Sequence, residues 1–313
     1  MAISLFGRSL LTLLDFHPEE IQYLLDLSME VKTDEKKGKK HRRFEGKTLA
    51  MLFEKRSTRT RCAFETAFGE EGGHPVFLSG ADIHLGVKEE LEDTARVFGR
   101  MFSAIQFRGF KQKTAETLAK FSGIPVYNGL TDLFHPTQAL ADFLTLMENF
   151  GKVKGLSFCY VGDGRNNVAR SLMICSSLLG TNFTVITPPE LNPDNVILEK
   201  CAALAQVSGA VIKVSPDISE VKGADAVYTD VWTSMGEEDK KAERVKLLSP
   251  YQVNQKLMDM TGKSSTIFLH CLPAVKGEEV TADVFEGPQS RVWDEAENRK
   301  HTIKAVMLAT LVK

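Results

Sequence analysis

Short apolar runs alternate with amphipathic segments along almost the whole chain. Because apolar runs of three to six residues bounded by turn residues are typical of buried strands, they predict nine strands: Thr48–Phe53, Pro75–Leu78, Ala104–Phe107, Pro125–Tyr127, Leu156–Val161, Asn182–Ile186, Ala210–Val214, Ala226–Val231 and Thr266–His270. Helical periodicity in between predicts a helix from Pro18 onward and others at Glu89–Phe102, Thr114–Phe121, Val168–Leu179 and Asn195–Val207. This alternation is typical of α/β proteins with parallel sheets and helices on both faces.

The alternation is interrupted between Gly129 and Gly155, where one long amphipathic segment, HPTQALADFLTLMENF, predicts a helix. A new series of strands and helices follows, so we expect two doubly wound parallel-sheet lobes joined by this bridging helix. The predicted domains are residues 1–134 and 151–298, with the bridging helix at 135–150. The final helical segment is Glu297–Leu311, and we expect residues 299–313 to pack back on the first lobe.

Composition narrows the class of protein further. The 313 residues are 43% hydrophobic and 26% charged, with a formal net charge of −2, which gives no reason to expect nucleic acid or an anionic membrane as a partner. The basic run Lys36–Arg43 is flanked by acidic residues, which favours a solvated loop. We expect no signal peptide and no transmembrane segment, and hence a cytoplasmic protein. Scattered cysteines without a CxxC pair are typical of reduced thiols and indicate no structural zinc site: Cys62, Cys159, Cys175, Cys201 and Cys271.

The segment EKRSTRTRCAFE lies where a predicted strand gives way to a helical pattern. A helix N-terminus carries unpaired N–H groups and a partial positive charge, and Ser57, Thr58 and Thr60 add hydroxyls there. Arg59 and Arg61 can add full positive charges, which the helix dipole disfavours unless an anion compensates them. The segment therefore predicts a site for a small phosphate group. An ordinary Ser/Thr cap followed by surface arginines is the alternative.

Three further residues suit the same ligand. Arg108 follows the predicted strand AIQF, so its guanidinium is expected at the carboxyl end of the sheet, where ligands of open α/β sheets bind. His135 and Gln138 open the bridging helix and share a face, from which an imidazole or an amide can donate to a carbonyl oxygen. A helix-capping histidine before a proline is the alternative for His135.

These motifs resemble those of the aspartate/ornithine carbamoyltransferase family. STRTR (Ser57–Arg61) and HPTQ (His135–Gln138) resemble its carbamoyl phosphate motifs, and DVWTSMGEE (Asp230–Glu238) and HCLPA (His270–Ala274) resemble those of its ornithine branch. DIHLGVKEE, GDGRNNV and DEAENRKHTIKAVM are similar as well, so the resemblance spans essentially the whole chain. It implies transfer of a carbamoyl group from carbamoyl phosphate to L-ornithine, giving L-citrulline and phosphate, with no metal and no organic cofactor.

The resemblance also implies roles for individual residues. The first lobe is expected to bind carbamoyl phosphate, with Thr60, Arg108 and His135 polarising the carbamoyl oxygen and Gln138 holding the amide. The residues implied to contact carbamoyl phosphate are Ser57, Thr58, Arg59, Thr60, His84, Arg108, His135, Gln138, Cys271, Leu272 and Arg299. For Arg299, a surface arginine on a terminal helix is the alternative.

The second lobe is expected to select the amine. Asp230 and Ser234 suit the α-ammonium of an amino acid, Asn167 its carboxylate, and Met235 belongs to the same implied ornithine site. Cys271 is implied to orient or deprotonate the attacking δ-amine. The alternatives are a turn or helix cap for Asp230 and a small buried hydrophobe for Cys271.

The resemblance further implies an assembly. A loop around His84 and Lys88 is expected to reach a neighbouring subunit's site in a homotrimer or a higher assembly of trimers. Two other classes of protein remain as alternatives. A dinucleotide-binding enzyme is disfavoured because Asn167 stands where GxGxxG needs its third glycine, and a non-catalytic binding protein is disfavoured because both half-sites are complete.

Overall fold

The computed structural model describes residues 3–80, 83, 89–233 and 238–313. Within them, nine strands and eleven α-helices divide between two compact units. Unit 1 comprises Met1–Leu144 and Glu297–Lys313, and unit 2 comprises Thr145–Ala296. None of the described helices is long and apolar enough to cross a membrane.

The strands and α-helices alternate along most of the chain. The strands are β1 (Thr48–Phe53), β2 (His74–Ser79), β3 (Ala104–Arg108), β4 (Val126–Leu130), β5 (Ser157–Val161), β6 (Asn182–Ile186), β7 (Ile212–Ser215), β8 (Ala226–Thr229) and β9 (Ile267–His270). The helices are α1 (Pro18–Lys36), α2 (Arg59–Glu70), α3 (Leu91–Met101), α4 (Gln112–Ser122), α5 (Pro136–Phe150), α6 (Asn167–Leu179), α7 (Asn195–Ser208), α8 (Lys241–Leu248), α9 (Gln255–Met260), α10 (Ala282–Phe285) and α11 (Val292–Leu311).

Unit 1 contains a parallel sheet in the order β2-β1-β3-β4, covered on both faces. On one face, apolar side chains of β1 and β3 such as Leu52 and Phe107 pack with α3 and α4. On the other face, Tyr127 of β4 stacks against Phe64 of α2, and its hydroxyl lies 2.6 Å from Thr310 Oγ1 of α11. The C-terminal helix thus packs on the first unit, as the sequence predicts.

Unit 2 contains a parallel sheet in the order β7-β6-β5-β8-β9. One of its faces carries a buried apolar cluster that includes Val161 of β5, Val227 of β8 and Phe268 of β9. The predicted fold class, two parallel-sheet α/β lobes, is therefore confirmed.

Each sheet has a point at which the strand order reverses, and the sequence motifs follow the strands at these points. In unit 1 the reversal lies between β1, which precedes Ser57–Arg61, and β3, which ends at Arg108. In unit 2 it lies between β5, which precedes GDGRNNV, and β8, which precedes Asp230. Ligands of open α/β sheets bind outside the carboxyl ends of strands at such points, so each unit has one expected ligand position.

Several element ends differ from the sequence predictions. β8 ends at Thr229 rather than Val231, because its pairing with β9 ends there and the Val231 N–H donates to the Asp230 carboxylate at 2.8 Å instead. The last helix begins at Val292, five residues before the predicted Glu297, with Asp294 and Glu295 in its first turn, where the helix dipole favours acidic residues. The divisions between the units fall inside α5 and α11.

Candidate active site

The segment Ser57–Arg61 forms the turn from β1 into α2, which begins at Arg59. Ser57 Oγ accepts a hydrogen bond from the Thr60 backbone N–H at 3.3 Å, so Ser57 satisfies one N–H of the first helical turn and keeps its own O–H as a donor. Thr58 is exposed, whereas Thr60 is completely buried. The hydroxyl-bearing residues of this segment therefore differ in burial although they lie at the same helix N-terminus.

Two guanidinium groups converge on the Thr60 hydroxyl from distant parts of the chain. Arg108 Nη1 donates to Thr60 Oγ1 at 2.9 Å, and Arg299 Nη2 donates to the same oxygen at 3.1 Å. Both arginines are buried, at 8% and 2% exposure. Because the two lone pairs of the hydroxyl oxygen accept these bonds, its hydrogen is left to donate to another group. Two buried positive charges beside a hydroxyl donor suit a multiply charged anion.

The burial of Arg299 also decides between the two interpretations of that residue. The interpretation of Arg299 as a surface residue is wrong. Its side chain is buried, and its Nη1 also donates to Gln138 Oε1 at 2.7 Å inside unit 1. Gln138 in turn donates from Nε2 to Asp142 Oδ1 at 2.8 Å. This chain of contacts holds the Gln138 amide in one orientation.

Arg61 does not take the position expected from the sequence. Its side chain is exposed, Nε lies 3.2 Å from Glu65 Oε2, and the guanidinium stacks over the Phe77 ring at 3.8 Å. Since a residue two positions after Arg59 in a helix points about 200° away around the axis, the two arginines cannot share one ligand position. The expectation that Arg61 adds charge to the anion site is therefore wrong.

His135 immediately precedes α5 and is 3% exposed. Burial, together with the nearby positive charges of Arg299, Arg108 and Arg59, lowers the pKa of its imidazole well below the usual 6.5. The ring is therefore neutral at pH 7 and can donate one hydrogen bond without carrying a charge.

Gln106 is a buried polar residue that the sequence analysis did not single out. It lies on β3 two residues before Arg108 and hence on the same face of the sheet. Within the described part of the chain, neither its Nε2 nor its Oε1 has a hydrogen-bond partner. A Cβ on Gly129 would come within 2.6 Å of Gln106 Nε2 and 2.8 Å of Thr60 Cγ2, so this position requires glycine. The sequence does contain a signal for Gln106, because it is a polar residue inside the otherwise apolar run AIQF.

In unit 2, Asp230 is buried directly after β8 and contacts two other loops. Cys271 Sγ donates to Asp230 Oδ1 at 3.0 Å, and Asn166 Nδ2 donates to Asp230 Oδ2 at 2.8 Å. Asp230 also takes part in a turn through Val231, but a turn alone does not account for the thiol and the amide. Asn167, which is predicted to bind the carboxylate of the amino-acid substrate, is the first residue of α6 and half-buried. Its neighbour Asn166, which the sequence analysis did not single out, contacts Asp230.

Cys271 differs from the other cysteines in its surroundings. Burial raises the pKa of the Cys159 thiol to about 12 and that of Cys201 to about 11, so both are unreactive near neutral pH. Cys175 is buried as well, and Cys62 is exposed. Cys271 is half-buried beside a carboxylate at a strand end, so a small buried hydrophobe does not describe it.

The loop after β9 is held by a buried histidine–glutamate pair. His270 Nδ1 accepts the Leu272 N–H at 2.9 Å, and His270 Nε2 lies 3.2 Å from Glu279 Oε1. Glu279 Oε1 also accepts the Val275 N–H at 2.6 Å. Among the described residues, ligand atoms of Asp230, His270 and Cys271 lie within 4.8 Å of one another, a spacing that can hold a metal ion. Both His270 nitrogens are already engaged, so the donor set suits a hydrogen-bonded network better.

Three predicted site residues, His84, Ser234 and Met235, lie outside the described residues, as does Lys88. The others fall into two groups. Within unit 1 the structure brings together Thr60, Arg108, His135, Gln138 and Arg299, with Ser57, Thr58 and Arg59 at the adjoining helix N-terminus. Within unit 2 it brings together Asp230 and Cys271, with Leu272 next along the loop, and Asn167 follows Asn166 at the start of α6.

Comparison with known proteins assigns these units to one family. A family model described as "Aspartate/ornithine carbamoyltransferase, carbamoyl-P binding domain" matches residues 8–148, and one described as "Asp/Orn binding domain" matches residues 154–310. The chain therefore belongs to the aspartate/ornithine carbamoyltransferase family, and the resemblance noted from the motifs is confirmed.

Individual relatives cover the whole chain. An ornithine carbamoyltransferase of Thermotoga maritima is 63% identical over 313 residues, which is 100% of both chains. A catabolic ornithine carbamoyltransferase of Bacillus licheniformis is 54% identical over 99% of this chain and 98% of its own. The structure of the Pyrococcus furiosus ornithine carbamoyltransferase is similar with a TM-score of 0.96, 47% identity and 99% coverage of both chains.

Proposed function

We propose that this chain transfers the carbamoyl group of carbamoyl phosphate to the side-chain amine of L-ornithine, giving L-citrulline and phosphate. The convergence of Arg108 and Arg299 on Thr60 is the observation that carries the proposal, because a buried pair of guanidinium groups suits a phosphate dianion. The 63% identity to a full-length ornithine carbamoyltransferase supports ornithine as the acceptor.

The residues of unit 1 bind carbamoyl phosphate in this proposal. The N-terminus of α2, with Ser57, Thr58, Arg59 and Thr60, holds the phosphate together with Arg108 and Arg299. Gln138 holds the carbamoyl amide. His84, Cys271 and Leu272 complete the proposed contacts.

Stabilisation of negative charge on the carbamoyl oxygen drives the reaction. The Thr60 hydroxyl, the Arg108 guanidinium and the neutral His135 imidazole donate to this oxygen, which becomes an oxyanion when the amine attacks the carbonyl carbon. The tetrahedral intermediate then collapses with breakage of the carbon–oxygen bond to phosphate, and Arg59 and Arg108 stabilise the departing dianion. Positioning and fixed charge suffice for this acyl transfer, so we propose no metal and no organic cofactor.

The residues of unit 2 select the amine. Asp230 and Ser234 bind the α-ammonium of ornithine, Asn167 binds its carboxylate, and Met235 lines the same site. Cys271, as a thiolate, orients the δ-amine or takes a proton from the δ-ammonium, which becomes a thiol proton and leaves nitrogen with a free lone pair for attack. Unit 1 is thus the carbamoyl phosphate domain and unit 2 the ornithine domain, with α5 as the bridging helix.

The proposal extends to assembly and pathway. We propose a cytoplasmic homotrimer, or a higher assembly of trimers, in which a loop containing His84 and Lys88 contributes to a neighbouring site. Light scattering of the purified protein tests the trimer. The same residues serve arginine synthesis and arginine breakdown, so metabolite levels determine the direction.

A panel of acceptors tests the function. Purified protein is given carbamoyl phosphate with L-ornithine, putrescine, N-acetyl-L-ornithine or L-aspartate, and the carbamoylated products are quantified. We expect citrulline as the dominant product. Selective use of another acceptor would leave the roles in unit 1 intact and overturn those of Asp230, Ser234 and Cys271.

A further inference from the structure

Asn166 connects the start of α6 to the Asp230 carboxylate. Its Oδ1 accepts the Val168 backbone N–H at 2.7 Å, which makes Asn166 the N-cap of the helix. Its Nδ2 donates to Asp230 Oδ2 at 2.8 Å, and the residue is 9% exposed. Because an N–H group of the helix occupies Oδ1, only the NH₂ end of the amide can face the carboxylate.

The contacts of Asp230 give this bond a consequence for ligand binding. A carboxylate accepts about four hydrogen bonds, two on each oxygen. Oδ1 already accepts bonds from the Val231 N–H and the Cys271 thiol, while Oδ2 accepts the one from Asn166. Counting the bonds made by the described residues, the position that remains for a cationic ligand is on Oδ2, beside the Asn166 amide.

We propose that Asn166 is a positioning residue that orients the Asp230 carboxylate toward the α-ammonium of the amino-acid substrate. It acts through Asp230 and also keeps Oδ1 turned toward Cys271. This inference rests on the proposed function, in which Asp230 binds ornithine.

Helix capping alone does not require an amide at this position. Aspartate and asparagine cap helices equally well, and serine nearly so. The chain itself caps α7 with Asp194, whose Oδ1 accepts the Ile197 N–H at 3.0 Å. Next to Asp230, however, an aspartate would bring two carboxylates together, and a serine hydroxyl would be too short to span both partners. Asparagine supplies the acceptor for the helix and the donor for Asp230 at once.

Two variants that keep the cap test the inference. Asn166→Ser removes the donor to Asp230, and Asn166→Asp replaces it with a repelling carboxylate. Because hydrogen bonds to charged groups are strong, we expect Asn166→Ser to raise the KM for L-ornithine about 10- to 100-fold. Asn166→Asp should raise it further, while the KM for carbamoyl phosphate stays within about twofold in both variants. The thermal midpoint should fall only slightly in Asn166→Ser, since the cap survives, and further in Asn166→Asp, where two buried carboxylates repel each other.

Asn254 provides a matched control. It is the N-cap of α9, and its Oδ1 accepts the Leu257 N–H at 3.0 Å in the same manner as Asn166 caps α6. Asn254→Ser and Asn254→Asp should leave both KM values unchanged, which separates a change of the capping residue from loss of the contact with Asp230.

Each outcome of this experiment supports or overturns a stated claim. An active wild-type enzyme whose Asn166→Ser variant keeps its KM for ornithine would overturn the positioning role alone. An equal rise in both KM values with a lower thermal midpoint would also overturn it, because it would indicate a purely structural residue. A wild-type protein that forms no citrulline would overturn the proposed function itself, and the inference with it.

Discussion

The two candidate half-sites occupy the same position in two similar sheets, yet their chemistry is opposite. In unit 1, buried guanidinium groups of Arg108 and Arg299 surround a hydroxyl and a neutral imidazole. In unit 2, the carboxylate of Asp230 accepts bonds from a thiol and an amide. The reversal point of an open sheet therefore determines where a ligand binds, and the residues placed there determine its charge.

Removal of positive charge from unit 1 should have the largest effect. In the proposed function Arg108 donates to the carbamoyl oxygen and Arg59 adds charge at the phosphate, so Arg108→Ala and Arg59→Ala should each lower kcat/KM for carbamoyl phosphate by about 10³-fold or more. Steady-state citrulline assays measure this loss. Arg61→Ala is the comparison variant, since Arg61 stacks on Phe77, and it should stay within about threefold of wild type. Equal losses in Arg59→Ala and Arg61→Ala would contradict the separation of the two side chains.

A change in unit 2 should affect the other substrate. Cys271→Ala removes the thiol beside Asp230, and we expect kcat with L-ornithine to fall about 10²- to 10⁴-fold, as for loss of an acid–base group. Binding of inorganic phosphate, measured by calorimetry, should be unchanged. Full activity with an unaltered pH profile would remove Cys271 from the mechanism.

A backbone change tests how tightly unit 1 is packed around Thr60. Gly129→Ala places a methyl group 2.8 Å from Thr60 Cγ2 and should raise the KM for carbamoyl phosphate by about 10- to 100-fold as Thr60 shifts. Gly69 lies on α2, the helix that also carries Thr60, and a Cβ there would have no other atom within 4 Å. Gly69→Ala should therefore preserve activity and stabilise the protein by about 0.5–1 kcal/mol. Unfolding by urea and the citrulline assay distinguish the two variants.

The smallest expected effect is a pH dependence of stability. Burial holds the pKa of His135 and of His301 below 6.5 in the folded state, so the unfolded chain takes up protons first as the pH falls. Stability contributed by each histidine is complete above about pH 6.5 and declines below it, by up to about 1.4 kcal/mol per pH unit. Urea unfolding at pH 7.5 and 5.5 should show a smaller decline for His135→Asn than for wild type. An identical decline would contradict the burial of a neutral His135.

The sequence predicts local features of this molecule well and contacts between side chains less well. All nine strands were located, because apolar runs and turn residues are local signals. The contact of Asn166 with Asp230 and the outward position of the Arg61 side chain depend on the direction in which neighbouring side chains leave a helix end. Arg299 was placed only through the family resemblance, since its contact with Thr60 joins residues that are far apart in the chain.

The central claim is that unit 1 recognises the phosphate substrate and unit 2 the amine, and paired binding measurements test it most directly. Calorimetry of inorganic phosphate and steady-state KM values for L-ornithine would be determined for wild type, Arg299→Ala and Asp230→Asn. Arg299→Ala should abolish phosphate binding, whereas Asp230→Asn should retain it and raise only the KM for ornithine. Retained phosphate binding in Arg299→Ala, or its loss in Asp230→Asn, would contradict the account.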